Sequence, residues 1–179
     1  MSMFPIASYY VSSGFGGDIS LTNIPQTFTH LQLRVFARST YTGGATSNYQ
    51  GIYFNGAPTS NNYPTHILLG DGSSVSSSSN LTSNQIIPDS YSTPSGTATA
   101  NVFSINIWDI LDYTNTNKNK TVRVLSGFDA NGSGRVSLGS GFWTSTSAIT
   151  QIDVTTVNYF AAGSRFDLYG IQSSPTTGA

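Results

Sequence analysis

The segment Leu31-Gln32-Leu33-Arg34-Val35-Phe36-Ala37-Arg38 alternates without a break. In an extended chain Leu31, Leu33, Val35 and Ala37 share one side and Gln32, Arg34 and Arg38 the other, the pattern of a strand with one face in a core and one in water. The same period of two recurs along the chain. It sets Phe103, Ile105 and Ile107 inward against Ser104 and Asn106, and Val122 and Val124 against Thr121 and Arg123. It likewise sets Ile152 and Val154 against Gln151 and Asp153, and Phe166 and Leu168 against Arg165 and Asp167. Weaker stretches at 5–11, 18–24, 50–55, 65–70 and 135–142 bring the expectation to about ten short strands separated by Gly, Asn, Asp and Ser clusters. Strands of this kind predict an all-β protein, an antiparallel β-sandwich that is jelly-roll-like, because no repeat of 20 to 50 residues recurs to suggest a propeller or solenoid. Helix is expected only as a single turn at Trp108-Asp-Ile-Leu-Asp-Tyr113.

Composition agrees. Of 179 residues only 15 are charged and none is Glu, while Ser, Thr, Asn and Gly supply 82. A helical protein would carry the missing Glu, Lys and Ala, and a disordered one more charge and fewer of the ten Tyr and ten Phe. The length suits one domain over 1–179, with 1–12 as an N-terminal arm or first strand and 172–179 as a C-terminal tail. The connection from Asp71 to about Ala100, with its Ser tract and Pro88 and Pro94, reads as a long loop whose order neighbouring chains in an assembly would supply.

Several functions are disfavoured. A net charge of -1 with five Arg and two Lys does not suit a nucleic-acid binder, which needs a basic patch for phosphates. No apolar run reaches the length of a membrane span, and the first residues lack the basic region of a signal peptide, so a product made in a cytoplasm is expected. With no Cys there is neither a disulfide framework nor a thiolate site, and no metal or other cofactor is expected. Glycosidic hydrolysis needs a pair of carboxylates; Asp109 and Asp112 are three apart, but capping and solvation explain them better. His30 and His66 are the imidazoles a Ser nucleophile would require, and both read as sheet residues. Asp129-Ala-Asn-Gly-Ser-Gly134 begins like a Ca²⁺ loop, yet Ser140 stands where the bidentate carboxylate belongs, so a hairpin turn is expected instead. Gly14-Phe-Gly-Gly17 has no following helix to make a phosphate cradle. No enzyme is expected.

Aromatic side chains carry the better signal. Trp108 falls on the polar side of its strand, Phe36 sits between Arg34 and Arg38, and Trp143 follows a Gly-rich stretch as if at a strand end, so three readings stand side by side for them: stacking on a sugar, burial in a subunit contact, or cover by a long loop such as 71–100. Phe4, Tyr9, Tyr10 and Phe15 form an aromatic N-terminal arm, a candidate contact surface, or else a first strand whose rings fill the domain's own core. All five Arg lie in or beside strands and are expected to pair within the sheet, while Lys118 and Lys120 sit in a loop.

By Ile24-Pro-Gln-Thr-Phe-Thr-His-Leu-Gln-Leu-Arg34, Asp112-Tyr-Thr-Asn-Thr-Asn-Lys-Asn-Lys-Thr-Val-Arg-Val-Leu-Ser-Gly127 and Ser164-Arg-Phe-Asp-Leu-Tyr-Gly-Ile171, the chain resembles virion structural proteins of tailed bacteriophages over roughly 18–171. The resemblance implies a jelly-roll-like sandwich without catalytic or metal residues, used as a capsid decoration (cement) protein or as a module of tail and fibre proteins. A chain that opens at Met1 just ahead of its first strand fits a freestanding decoration protein on the outer capsid surface of the virion. Its expected partners are the major capsid protein and further copies of itself in a trimer. The alternative is a tail or fibre module that binds a receptor or carbohydrate, with Trp108 and Trp143 as its stacking residues.

Overall fold

A computed structural model describes residues 2–13, 15–56, 58 and 61–172, with Phe15 and Gly16 as backbone alone. Among these are fifteen strands and no helix: β1 (Ser2–Tyr10), β2 (Phe15–Gly16), β3 (Ile19–Leu21), β4 (His30–Ala37), β5 (Ser47–Asn48), β6 (Gln50–Phe54), β7 (Thr65–Gly70), β8 (Val75–Asn80), β9 (Thr93–Pro94), β10 (Ser104–Ile110), β11 (Lys120–Asp129), β12 (Gly134–Trp143), β13 (Ile152–Thr156), β14 (Tyr159–Phe160) and β15 (Arg165–Gln172). All pairings are antiparallel. One sheet has eight strands in the order β1-β15-β4-β10-β11-β12-β7-β8, a second has β3-β13-β6, and the ribbons β2–β14 and β5–β9 flank them.

The chain is an antiparallel β-sandwich with unequal layers. It leaves the eight-stranded sheet after β1, β4, β8 and β12 and returns to it at β4, β7, β10 and β15, a wandering that puts sequence neighbours in different sheets. The alternation in β4 holds: Leu31, Leu33, Val35 and Ala37 are wholly buried. So are Val122 and Val124 of β11 and Phe166 of β15, and from the small sheet Ile52, Ile152 and Val154 close on them in one continuous core. At about 25 cal/mol per Å² of apolar surface, this shared burial is what holds the layers together.

The parity of β10 is the reverse of the sequence expectation. Ile105 is 54% exposed, whereas Ser104, Asn106, Trp108 and Ile110 are buried. The two polar residues face inward because the core supplies partners. Asn106 Nδ2 donates to Gln50 Oε1 at 3.0 Å and to Ser104 Oγ at 3.2 Å, Thr93 Oγ1 donates to Gln50 Oε1 at 3.2 Å, and Ser104 Oγ donates to the Ala37 carbonyl. These bonds offset part of the cost of burying amides and hydroxyls, since Asn106 Oδ1, Gln50 Nε2 and the Trp108 indole N–H find no partner among the described residues, and the apolar bulk of Trp108 and Ile110 decides which way the strand faces. The helical turn expected at 108–113 is also absent: β10 runs through Ile110, and the chain bends at Asp112 and turns at 113–114.

Arg38, expected outward, is 9% exposed. Its guanidinium donates to the carbonyls of Thr99 (2.7 Å), Val102 (3.0 Å), Ala98 (2.8 Å) and Gly96 (3.4 Å). Burial lowers its pKa from the usual value. The long connection is therefore ordered from within the chain. It contains β8 and β9, pairs Ile86 with Ile52, and ties Asp89 to Arg135 across 3.0 Å. Lys120, expected in a loop, starts β11 fully buried, where Nζ donates to the carbonyls of Lys118 and Thr146 at 3.0 Å each. Desolvation and the neighbouring Lys118 charge both lower its pKa.

Candidate interaction face

The residues singled out for chemistry are not gathered into a site. Asp109 accepts from Gln32 Nε2 at 2.8 Å and pairs with Arg123 at 2.6 Å, while Asp112 is held by Lys118 and His30. His30 Nδ1 accepts the Asp112 N–H at 2.9 Å, and His66 lies on β7, four strands from β4 in the sheet. Among the described residues no three His or Asp side chains come together to hold a metal ion. Asp129 closes a hairpin turn, its Oδ1 accepting the N–H of Asn131 and of Gly132, and both of those residues have positive φ. That is the turn the sequence predicted.

The aromatic candidates divide. Trp108 is fully buried, and Trp143, at 8% exposure, stacks against Tyr63 with ring centroids 6.5 Å apart and meets Phe54 at a tilt, 5.6 Å away. Both are core residues, which excludes the sugar-stacking and subunit-contact readings for them. Their strand parity is inward, and a ring of that size contributes more as core than any other residue here. Phe36 is exposed as expected, with Phe103 stacked on it at 4.6 Å. The N-terminal arm is an edge strand. Phe4 (stacked on Phe28 at 5.8 Å), Tyr9 (edge-on to the core ring of Phe166 at 6.5 Å) and Tyr10 all stay exposed, while Ile6 and Ala7 pack on the core. The backbone of Phe15 pairs with Phe160; its side chain lies outside the described residues.

What sequence reasoning missed is the outer face of the broad sheet. Cross-strand register sets Ile107 opposite Leu125, Leu125 opposite Leu138, and Leu138 opposite Leu68, an unbroken apolar row over β10, β11, β12 and β7. A second row places Phe36 beside Ile105 and Val136 beside Gly70, with Gly70 opposite Val75. Leu125, Leu138, Leu68, Ile105 and Val136 are each about half exposed. Charges lie along the margins and are already matched. Arg123 pairs with Asp109 and Arg165 with Asp167 at 2.8 Å; Arg34 donates to Gln32 at 2.8 Å and covers the Tyr169 ring at 5.2 Å. The expected pairing of Arg within the sheet holds for Arg123 and Arg165. A partner covering this face meets apolar surface with few charges to desolvate, roughly 1 kcal/mol or more for each half-exposed Leu or Ile it buries. The signal was present in the sequence as Ile105, Ile107, Leu125, Val136 and Leu138, but only the register shows that they adjoin.

No protein-family model, curated protein or solved structure matches this chain.

Proposed function

We propose that the chain is a structural protein of a tailed-bacteriophage virion, a capsid decoration protein that binds the outer surface of the assembled shell and stabilises contacts between major capsid protein subunits. The supporting observation is the outer sheet face: apolar residues in direct cross-strand contact, flanked by charges neutralised within the sheet. Such a face suits permanent contact with another protein better than capture of a polar small molecule. The action is mechanical. A domain that binds the assembled shell and not its free subunits shifts the equilibrium toward the shell by mass action, without chemistry. Trimers at three-fold positions of the shell belong to this proposal, as does the exposed N-terminal strand as a supporting contact.

Co-sedimentation of the purified protein with expanded shells tests the proposal. The wild type is expected to pellet with the shells, and Leu125→Asp combined with Leu138→Asp to remain in the supernatant with its circular dichroism unchanged. A wild type that ignores shells but binds a glycan on an array would replace the proposal with the receptor-binding reading.

A further inference from the structure

The two edges of the broad sheet differ. β1 is guarded by Pro5, which has no N–H, and by a register shift between Pro5 and Ala7. Such features keep an edge from pairing with a stranger. β8 has none of them. Its residues, Val75-Ser-Ser-Ser-Ser-Asn80, include no Pro, no charge and no irregularity of register, and all six are exposed. Among the described residues it pairs with β7 on one side only and ends the strand order.

The free edge can be read residue by residue. Asp71 N–H donates to the Ser74 carbonyl at 3.2 Å, so 71 and 74 form a hydrogen-bonded pair at the turn. Alternation along an antiparallel ladder then directs the backbone groups of Ser76, Ser78 and Asn80 to β7, and those of Val75, Ser77 and Ser79 to the open side. These three alternate residues are spaced symmetrically about Ser77.

We propose that β8 pairs with β8 of a second copy of this chain, antiparallel, about a two-fold axis at Ser77. Ser77 then faces Ser77 of the other copy, and Val75 faces Ser79 in both directions. All three outward N–H and C=O pairs are satisfied, and no like charges meet. Two features select a second copy over an unrelated strand: the arrangement is self-complementary, and it is continuous with the outer face. Because Ser77 lies opposite Leu68, the apolar row Ile107–Leu125–Leu138–Leu68 continues across the axis into its mate with only the two serines between. The contact is isologous and so separate from any ring formed on a shell, and it does not rest on the shell-binding proposal. It also accounts for a strand of serines, poor β-formers that bury nothing within their own chain.

The chain has no Cys, so a single introduced one reports cleanly. Ser77→Cys, at a self-paired position about 5.5 Å from its mate, is expected to cross-link into a covalent dimer under mild oxidation. Val75→Cys, roughly 13 Å from its mate, is expected to stay uncross-linked. Ser77→Pro removes only an outward N–H and leaves the ladder to β7, so sedimentation should show loss of the two-fold contact with the thermal midpoint preserved. Should Ser77→Pro perturb folding, Ser77→Lys replaces it, placing two like charges at the axis. A wild type that is monomeric at all concentrations, equal cross-linking at 75 and 77, or an association that survives both Ser77 variants would overturn the proposal.

Discussion

The middle of the broad sheet and its β7–β8 wing are built on the same antiparallel ladder and are held by different forces. In β4, β10 and β11 every second side chain is buried, and a slip of one residue would expel Leu33, Trp108 and Val124 into water. Burial alone sets their register. In the wing, β7 keeps only Thr65 fully buried and β8 keeps nothing. Its register comes from the turn, where the Asp71 carboxylate accepts the N–H of Ser73 at 2.9 Å and of Ser74 at 2.8 Å. The contrast separates the parts of the sheet that fold the domain from the part left over to meet something else.

The strongest way to break the contrast is a matched pair of truncations. Trp108→Ala removes the largest buried side chain of the middle and is expected to cost about 3–5 kcal/mol, lowering the melting temperature by on the order of 10 °C; Leu68→Ala, half exposed in the wing, should cost under about 1 kcal/mol. Equal losses would mean that the wing carries as much core as the middle.

Arg38 offers a smaller test. Arg38→Ala strips the 96–102 segment of its shared donor and leaves up to four carbonyls unpaired, at about 2–3 kcal/mol. Hydrogen exchange should quicken at 96–102 and stay unchanged at 75–80; a change at 75–80 would show the two segments to be coupled.

Titration gives the smallest effects, at opposite ends of the pH range. Burial raises the Tyr63 pKa from 10.0 to about 12, against the opposing effect of the Phe54 N–H that its hydroxyl accepts. A folded-state pKa above the unfolded one means that the contribution is complete below pH 10 and is lost as pH rises through about 12. Alkaline unfolding monitored by fluorescence should show this, and Tyr63→Phe should flatten it. Asp71 has the opposite sign. The N–H groups of Ser73 and Ser74 lower its pKa below 3.8, so what it contributes to the turn is present above that value and fades as pH falls through the lowered one. Amide shifts of 71–74 followed by NMR should move in acid before any core resonance does; simultaneous movement would argue that wing and core unfold as one.

Most strands were legible in the sequence because their apolar parity is strict. Leu31 to Ala37, Val122 and Val124, and Phe166 and Leu168 all point as alternation requires. β10 was misread because its inward face begins with Ser104 and Asn106, and no local rule anticipates that Thr93 and Gln50, distant in sequence, will accept hydrogen bonds from them. Trp108 was set on the outward side for the same local reason. Arg38 resembled its neighbours Arg34 and Arg123 until a segment some sixty residues away brought four carbonyls to it. The outer face needed register as well as parity, since Ile107, Leu125, Leu138 and Leu68 adjoin only through three separate strand pairings.

By itself, then, the sequence determined the all-β class, the positions of the longer amphipathic strands and the hairpin turn at Asn131-Gly132, because these depend on the period of two and on residues that tolerate positive φ. Tertiary structure decided which polar residues could be buried and which apolar ones left outside. The buried Arg38 guanidinium and Asn106 amide lie where segments distant in sequence bring partners to them, and an apolar row exists only once strands are aligned. Both are properties of chain segments far apart in sequence, and no local pattern encodes them.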